Sequence, residues 1–148
     1  MPNPDRIPAR PEAMGLLARA NPARLAELAP DLPPHSLLRA PEIGAVMVRG
    51  RQGGTGAPFN LGEVTVTRCA VRLDCGAVGH AWVQGRDKDH ARRAAVLDAL
   101  LQTDSAAAIA AAILAPLAAD EAARRAAAAR KAGATRVEFF TMVRGEDQ

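Results

Sequence analysis

The chain has 148 residues, of which 49% are hydrophobic and 24% charged, and its formal net charge is +3. This length and apolar content suffice for one compact core and leave too little material for a second domain. The positive charge comes mostly from arginine, which suits phosphate or carboxylate contacts. The excess is too small to indicate DNA binding.

The N-terminal part of the chain is rich in proline. We interpret residues 1–11 as a flexible Pro-rich arm and residues 12–148 as a single domain. Glu12 begins a short helical pattern, and Asn21-Pro22 marks the start of a second helix, because proline is favoured at the first helical position. The apolar runs around Leu37 and over Ile43 to Val48 are typical of strands.

The middle of the chain predicts a β-hairpin. Residues from Val64 to Leu73 alternate in polarity, which places Arg68 and Arg72 on one face of a strand. A turn at residues 74–77 then leads into a partner strand from Val78 to Gln84.

Helical patterns dominate the remainder. Asp87 is a suitable cap for one helix, and the Ala-rich run after Ser105 is predicted to be helical until Pro116 breaks or kinks it. A last helix is expected to have Asp120 and Glu121 in its first turn. Thr135 to Val143 alternates like a closing strand. Strands followed by helices predict an α+β fold, an antiparallel sheet with helices packed against it.

Cellular location follows from the cysteines and the apolar stretches. Cys69 and Cys75 have a spacing that fits neither a redox pair nor zinc ligands, so we expect free thiols in a reducing cytoplasm, with a bridge as the alternative. The longest apolar stretch, residues 106–119, contains Pro116 and is shorter than the roughly 20 residues that span a bilayer. We therefore predict a cytoplasmic protein without a membrane span.

Two segments have features of an anion site. Gly53, Gly54, Thr55 and Gly56, preceded by Arg51, leave backbone amides open to an anion, although a flexible connection between two strands explains these glycines about as well or better. Gly85-Arg86-Asp87-Lys88 lies where a strand passes into a helix, so amides, helix dipole and two cations converge there. The alternative interpretation is that Asp87 is an N-cap and that Arg86 and Lys88 are solvated.

No catalytic machinery is recognisable. His80 and His90 could be a general base or metal ligands, but neither lies in a ligand pattern, which favours structural histidines. Phe140 and Met142 occupy one face of the last predicted strand and could anchor an interface, because aromatic residues and methionine are enriched there.

Several of these segments resemble the PhnG family of the carbon-phosphorus lyase system, over residues 43–146. The matching stretches lie in family order: Gly53-Gly54-Thr55-Gly56, Thr67 to Leu73, Trp82-Val83-Gln84-Gly85-Arg86-Asp87-Lys88, Asp98-Ala99-Leu100, Leu114 to Leu117, and Phe139 to Gly145.

The resemblance implies a role in organic phosphonate catabolism. In that family reaction, a complex containing PhnG, PhnH, PhnI and PhnL converts MgATP and an alkylphosphonate into a ribose 1-phosphonate 5-triphosphate and adenine. The nucleosidase chemistry is attributed to PhnI, and the later radical cleavage to PhnJ. The resemblance thus implies a transferase complex that uses MgATP, within which this chain holds no cofactor and is not catalytic when isolated.

Three hypotheses follow. The first is a subunit that docks on a PhnI-like partner through one of three segments. These are the Gly-rich loop, the segment from Trp82 to Lys88, which includes Gln84, and the last strand. The second is that Arg51, Arg68, Arg72, Arg86 and Lys88 bind triphosphate or phosphonate at a shared active site. The third is a stand-alone anion-binding or nucleic-acid-binding regulatory module, disfavoured because one Trp and no Tyr offer little for base stacking. We expect the isolated chain to form homo-oligomers.

Overall fold

The computed structural model describes residues 8–136. The chain forms helices α1 and α2, strands β1 to β3, and helices α3 to α5, with a 3-10 turn between β1 and β2 and a π-helical turn between α4 and α5. Their bounds are Arg10–Arg19 (α1), Pro22–Leu28 (α2), His35–Arg51 (β1), Gln52–Gly54 (3-10), Pro58–Leu73 (β2), Val78–Gln84 (β3), Lys88–Leu100 (α3), Ala106–Ile109 (α4), Ala110–Leu114 (π) and Ala115–Ala134 (α5). The strands form one antiparallel sheet in the order β1-β2-β3, so the predicted α+β fold is confirmed.

The inner face of the sheet packs against α3. Val71 and Val83 point to this side and are fully buried, because alternate residues of a strand share a face. Gly79 lets the strand approach the helix: a Cβ at this position would overlap the Ala95 carbonyl oxygen and lie 2.5 Å from the Ala99 nitrogen. β3 and α3 are therefore in direct backbone contact.

A buried carboxylate joins α1, β3 and α3. Asp98 is 1% exposed and accepts hydrogen bonds from Arg10 Nε at 3.0 Å, Arg10 Nη2 at 2.8 Å and the His80 backbone N–H at 2.8 Å. Because α1 begins at Arg10, Arg10 and Pro11 are helical, although the sequence placed them in the N-terminal arm. Proline is tolerated in a first helical turn, where its missing N–H would have no partner.

The second helix begins as predicted. The Asn21 side chain accepts hydrogen bonds from the backbone N–H groups of Ala23 and Arg24, and Pro22 occupies the first helical position. This cap satisfies two donors that a helix start leaves free.

The first two strands are longer than the sequence indicated. The two apolar runs expected around Leu37 and Ile43 belong to one strand, β1, and pairing continues to Arg51 and Pro58. The Gly-rich connection that contains Gly53 to Gly56 is thus confined to residues 52–57. Proline is tolerated at Pro58 because it is the first residue of its strand.

Of the break or kink predicted at Pro116, the break is wrong. The helix is continuous from Ala106 to Ala134, and the π-helical turn lies just before the proline. Such a turn lets a helix accommodate the missing N–H of proline. Asp120 and Glu121 consequently lie inside α5, not in a first turn. Thr135 ends the helix and does not begin a strand; the rest of the strand expected up to Val143, with Phe140 and Met142, lies outside the described residues.

This helix is long and apolar enough, by length and composition alone, to cross a membrane. Ile113, Leu114 and Leu117 are buried in the protein core, and most of the other apolar positions are alanine. A helix whose larger apolar residues already pack in the core has only alanine methyl groups left for lipid. These observations do not test the prediction that the chain has no membrane span, which stays a prediction.

Candidate functional site

The outer face of the sheet carries a cluster of charged and aromatic side chains. Arg68 and Trp82 are paired residues of β2 and β3, and the Arg68 guanidinium carbon lies 5.6 Å from the centre of the indole ring. Glu42 Oε2 accepts a hydrogen bond from Arg68 Nε at 3.1 Å and another from Arg39 at 3.0 Å. Hydrogen bonding from Arg68, and then from Arg39, lowers the Glu42 pKa. Arg68 is therefore already paired with a carboxylate and an aromatic ring.

Arg72 and Gln84 lie on the same outer face. The expected shared face of Arg68 and Arg72 is confirmed by their pairing with Trp82 and Val78, and Gln84 pairs with Val66. Within residues 8–136 the Arg72 guanidinium makes no hydrogen bond or ion pair, so this arginine keeps its capacity to bind an anion.

The start of α3 is already occupied by carboxylates. Asp87 Oδ1 accepts a hydrogen bond from the His90 N–H at 2.9 Å, which confirms the predicted cap. Asp89 binds Arg92 and Arg93, and hydrogen bonding from these arginines lowers its pKa. A carboxylate at the N-cap and another in the first turn satisfy the helix dipole and oppose an incoming anion. Arg86 and Lys88 are exposed nearby, and their role in anion binding stays a prediction.

The Gly-rich segment lies at the far end of the β1–β2 hairpin. Gly53 and Gly54 have φ angles of 59° and 84°, which glycine adopts without strain. Arg51 donates to the Gly56 carbonyl at 3.2 Å, and Thr55 is exposed beside it. Ten residues of extended strand separate Pro58, the partner of Arg51, from Arg68, a distance of about 30 Å. One copy of the chain therefore cannot bring Arg51 and Arg68 into the same phosphate site.

The outer half of this hairpin extends beyond the core. β3 pairs with β2 only as far as Val66, so residues 45–65, here called the ribbon, consist of two strands and their connection. No residue of the ribbon is buried. Met47, Phe59 and Leu61 are 52%, 45% and 66% exposed. A two-stranded ribbon is marginally stable alone in water, and large apolar residues concentrated on one mark an interaction surface.

His90 has structural surroundings, as the sequence favoured, whereas the His80 ring is exposed and makes no hydrogen bond within residues 8–136. The buried His90 ring donates from Nε2 to the Leu17 carbonyl at 2.8 Å, and this bond joins α3 to α1. Within residues 8–136 no group of three or more His, Cys, Asp or Glu residues is placed to hold a metal ion. Cys69 and Cys75 are free thiols, in agreement with the sequence, and burial raises the pKa of Cys69.

A cleft that the sequence did not indicate lies beside β3, an edge strand of the sheet. It has a volume of about 630 Å³ and is bordered by the α1–α2 junction, β3 and α5. Its lining includes Trp82 and Gln84, both expected as binding residues, together with Arg19 and Arg124, which were not. No local motif signals these arginines, because α1 and α5 come together only in the tertiary structure, where Arg19 pairs with Glu121.

Comparison with known proteins agrees with the resemblance seen in the sequence. A family model described as phosphonate metabolism protein PhnG matches residues 8–145. A curated relative from Rhizobium meliloti (strain 1021), named alpha-D-ribose 1-methylphosphonate 5-triphosphate synthase subunit PhnG, is 49% identical over 141 residues, which cover 93% of this chain and 90% of the relative. The chain therefore belongs to the PhnG family of phosphonate metabolism proteins.

Proposed function

We propose that this chain is a non-catalytic subunit of an alpha-D-ribose 1-methylphosphonate 5-triphosphate synthase and acts in organic phosphonate catabolism. The name and the similarity of the Rhizobium relative support the assignment to this enzyme. The described residues contain no metal-binding group, and the buried His90 ring is bonded to a backbone carbonyl, which supports a role without chemistry of its own. The stand-alone regulatory module is not favoured, since the relative is named as a subunit.

The observation that carries the proposal is the ribbon. Burying a large apolar side chain stabilises a complex by about 1.5–3 kcal/mol relative to leaving it exposed. The three large apolar residues of the ribbon are roughly half to two-thirds exposed, so their burial at an interface would contribute about 2–5 kcal/mol. A monomer gains none of this stabilisation.

The occupant that we propose for this surface is another subunit of the synthase, of the PhnI type. Arg49 and Arg51 lie at the end of the ribbon, where the connecting residues 52–57 contain no acidic side chain. Apolar side chains along the ribbon and arginines at its end are complementary to a groove with an apolar floor and an acidic rim. Ribbons of two copies packed end to end would instead bring like charges together. PhnH, PhnJ and PhnL are the further partners that we propose, with MgATP bound by the assembled complex in the cytoplasm.

Co-purification of the chain with each candidate partner tests this proposal. Leu61→Asp places a charge in the apolar surface of the ribbon and should weaken the complex with the PhnI-type subunit by roughly a hundredfold or more. Leu38→Asp is the matched control, because Leu38 is 47% exposed on β1 but outside the ribbon. Both variants should fold, as judged by thermal melting, since neither side chain is buried. Undiminished co-purification of Leu61→Asp would contradict docking through the ribbon.

A further inference from the structure

Backbone hydrogen bonds show which groups of β3 face away from the sheet. β3 is an edge strand that pairs only with β2. At the two ends of this pairing, the Leu73 N–H donates to the Ala77 carbonyl at 2.9 Å, and the Gly85 N–H donates to the Thr65 carbonyl at 2.8 Å. Because hydrogen-bonded pairs alternate in an antiparallel ladder, the odd-numbered residues of β3 bond to β2. The even-numbered residues therefore turn their N–H and C=O groups outward.

Side chains from the end of α3 and the turn after it cap only the first half of this edge. Gln102 Nε2 donates to the Val78 carbonyl at 2.7 Å, and Asp98 accepts from the His80 N–H at 2.8 Å. The outward backbone groups of Trp82 and Gln84 make no hydrogen bond within residues 8–136. Unpaired groups on an exposed edge are a template for an additional strand.

Space for an additional strand lies beside these free groups. An indentation of about 160 Å³ adjoins Trp82 and is lined on its other side by Met14 and Ala18 of α1. The cleft of about 630 Å³ shares Trp82 and Ala18 with this indentation and continues along the edge to Gln84. Since the Trp82 side chain lies over Arg68 on the outer face, the edge offers its backbone, while the indentation offers an apolar surface to side chains.

α5 carries a strand-like segment away from this edge. Every residue from Ala122 to Arg136 is exposed. α5 continues for about 15 Å beyond Arg124, which borders the cleft, since a helix rises roughly 1.5 Å per residue. Residues 137–143, whose polarity alternates like that of a strand, follow directly. An extended chain would use about five residues to return over this distance, so little of the segment could pair with β3 of the same copy.

We propose that residues 137–143 add as a fourth strand to the free half of the β3 edge of a second copy, and that two copies exchange these segments. Val137, Phe139 and Val143 share one face of such a strand, and the Phe139 ring suits the apolar indentation beside α1. A symmetric exchange closes on itself and contains two identical junctions. The inference does not rest on the proposed function, because it concerns the purified chain alone.

Sedimentation equilibrium of the full-length chain measures this association, and we expect a dimer. Gln84→Pro removes an outward N–H without touching the bonds to β2, so it should weaken each junction by about tenfold and the dimer by about a hundredfold. Gln84→Ala is the matched control, because it keeps the N–H and should dimerise like the wild type. Phe139→Asp leaves β3 unchanged and should weaken the dimer by about a hundredfold or more, which decides the matter should Gln84→Pro not fold.

Mixing Gln84→Pro with Phe139→Asp distinguishes exchange between copies from pairing within one copy. The heterodimer places both defects in one junction and leaves the other intact, and a second defect in a broken junction costs little more. It should therefore form more tightly than either variant alone. The proposal is overturned by a wild type that stays monomeric at its highest soluble concentration, or by a dimer that neither variant weakens. Equal weakening by Gln84→Ala and Gln84→Pro, or a mixture no tighter than the separate variants, would also overturn it.

Discussion

Replacement of Asp98 tests the buried junction between α1, β3 and α3. Asp98→Ala removes the half-exposed ion pair with Arg10, which contributes about 1 kcal/mol, and leaves the His80 N–H without its acceptor, which costs about 1–3 kcal/mol. We therefore expect the free energy of unfolding to fall by about 2–4 kcal/mol. Asp98→Asn keeps an acceptor for the N–H but loses the charge, so about 1–2 kcal/mol should be lost.

Urea unfolding of the purified chain, followed by circular dichroism, measures these changes. Arg10→Ala is the control for the ion pair and should cost about 1–3 kcal/mol, because it leaves the Asp98 carboxylate, which is 1% exposed, without its charged partner. We expect Asp98→Ala to destabilise more than Asp98→Asn, with an unchanged dependence on urea. A loss within about 0.5 kcal/mol for Asp98→Ala would refute a stabilising role for this carboxylate.

Three further predictions concern packing, thiol chemistry and pH. Gly79→Ala should lower the melting temperature or prevent folding, because the added methyl overlaps the backbone of α3; an unchanged melting temperature would contradict that contact. Under native conditions a thiol reagent should label the exposed Cys75 rapidly and the buried Cys69 only on unfolding; equal labelling rates would refute the burial. Hydrogen bonding from Arg19 lowers the pKa of Glu121 below 4.5, so its stabilisation is complete above that pH and is lost as the pH falls through the lower folded pKa. The stability difference between wild type and Glu121→Gln should therefore disappear on acidification, and a difference that persists at pH 2 would argue against this ion pair.

Local patterns in the sequence predicted the parts of the fold that local interactions determine. The strand from Val78 to Gln84 was predicted with its observed bounds, because its polarity alternates and turn residues flank it. The caps at Asn21 and Asp87 were likewise recognisable, since each side chain bonds to a backbone N–H within three residues. These interactions need no information from distant parts of the chain.

Interactions between distant segments explain what the sequence left open. The ribbon is long because β1 and β2 pair beyond the third strand, and its exposed Leu61 looks in sequence like any strand residue. Arg19 and Arg124 border the same cleft only because α5 contacts α1 in the folded chain. The continuity of the helix through Pro116 depended on a π-helical turn that local propensity does not indicate.

The most direct test of the subunit role is synthase turnover with purified components. The partner subunits of the PhnI, PhnH and PhnL types are incubated with MgATP and methylphosphonate, with and without this chain, and alpha-D-ribose 1-methylphosphonate 5-triphosphate is measured. We predict that the product forms only when the chain is present, and that Leu61→Asp fails to restore it where Leu38→Asp succeeds. Formation of the product at the same rate without the chain would contradict the proposed function.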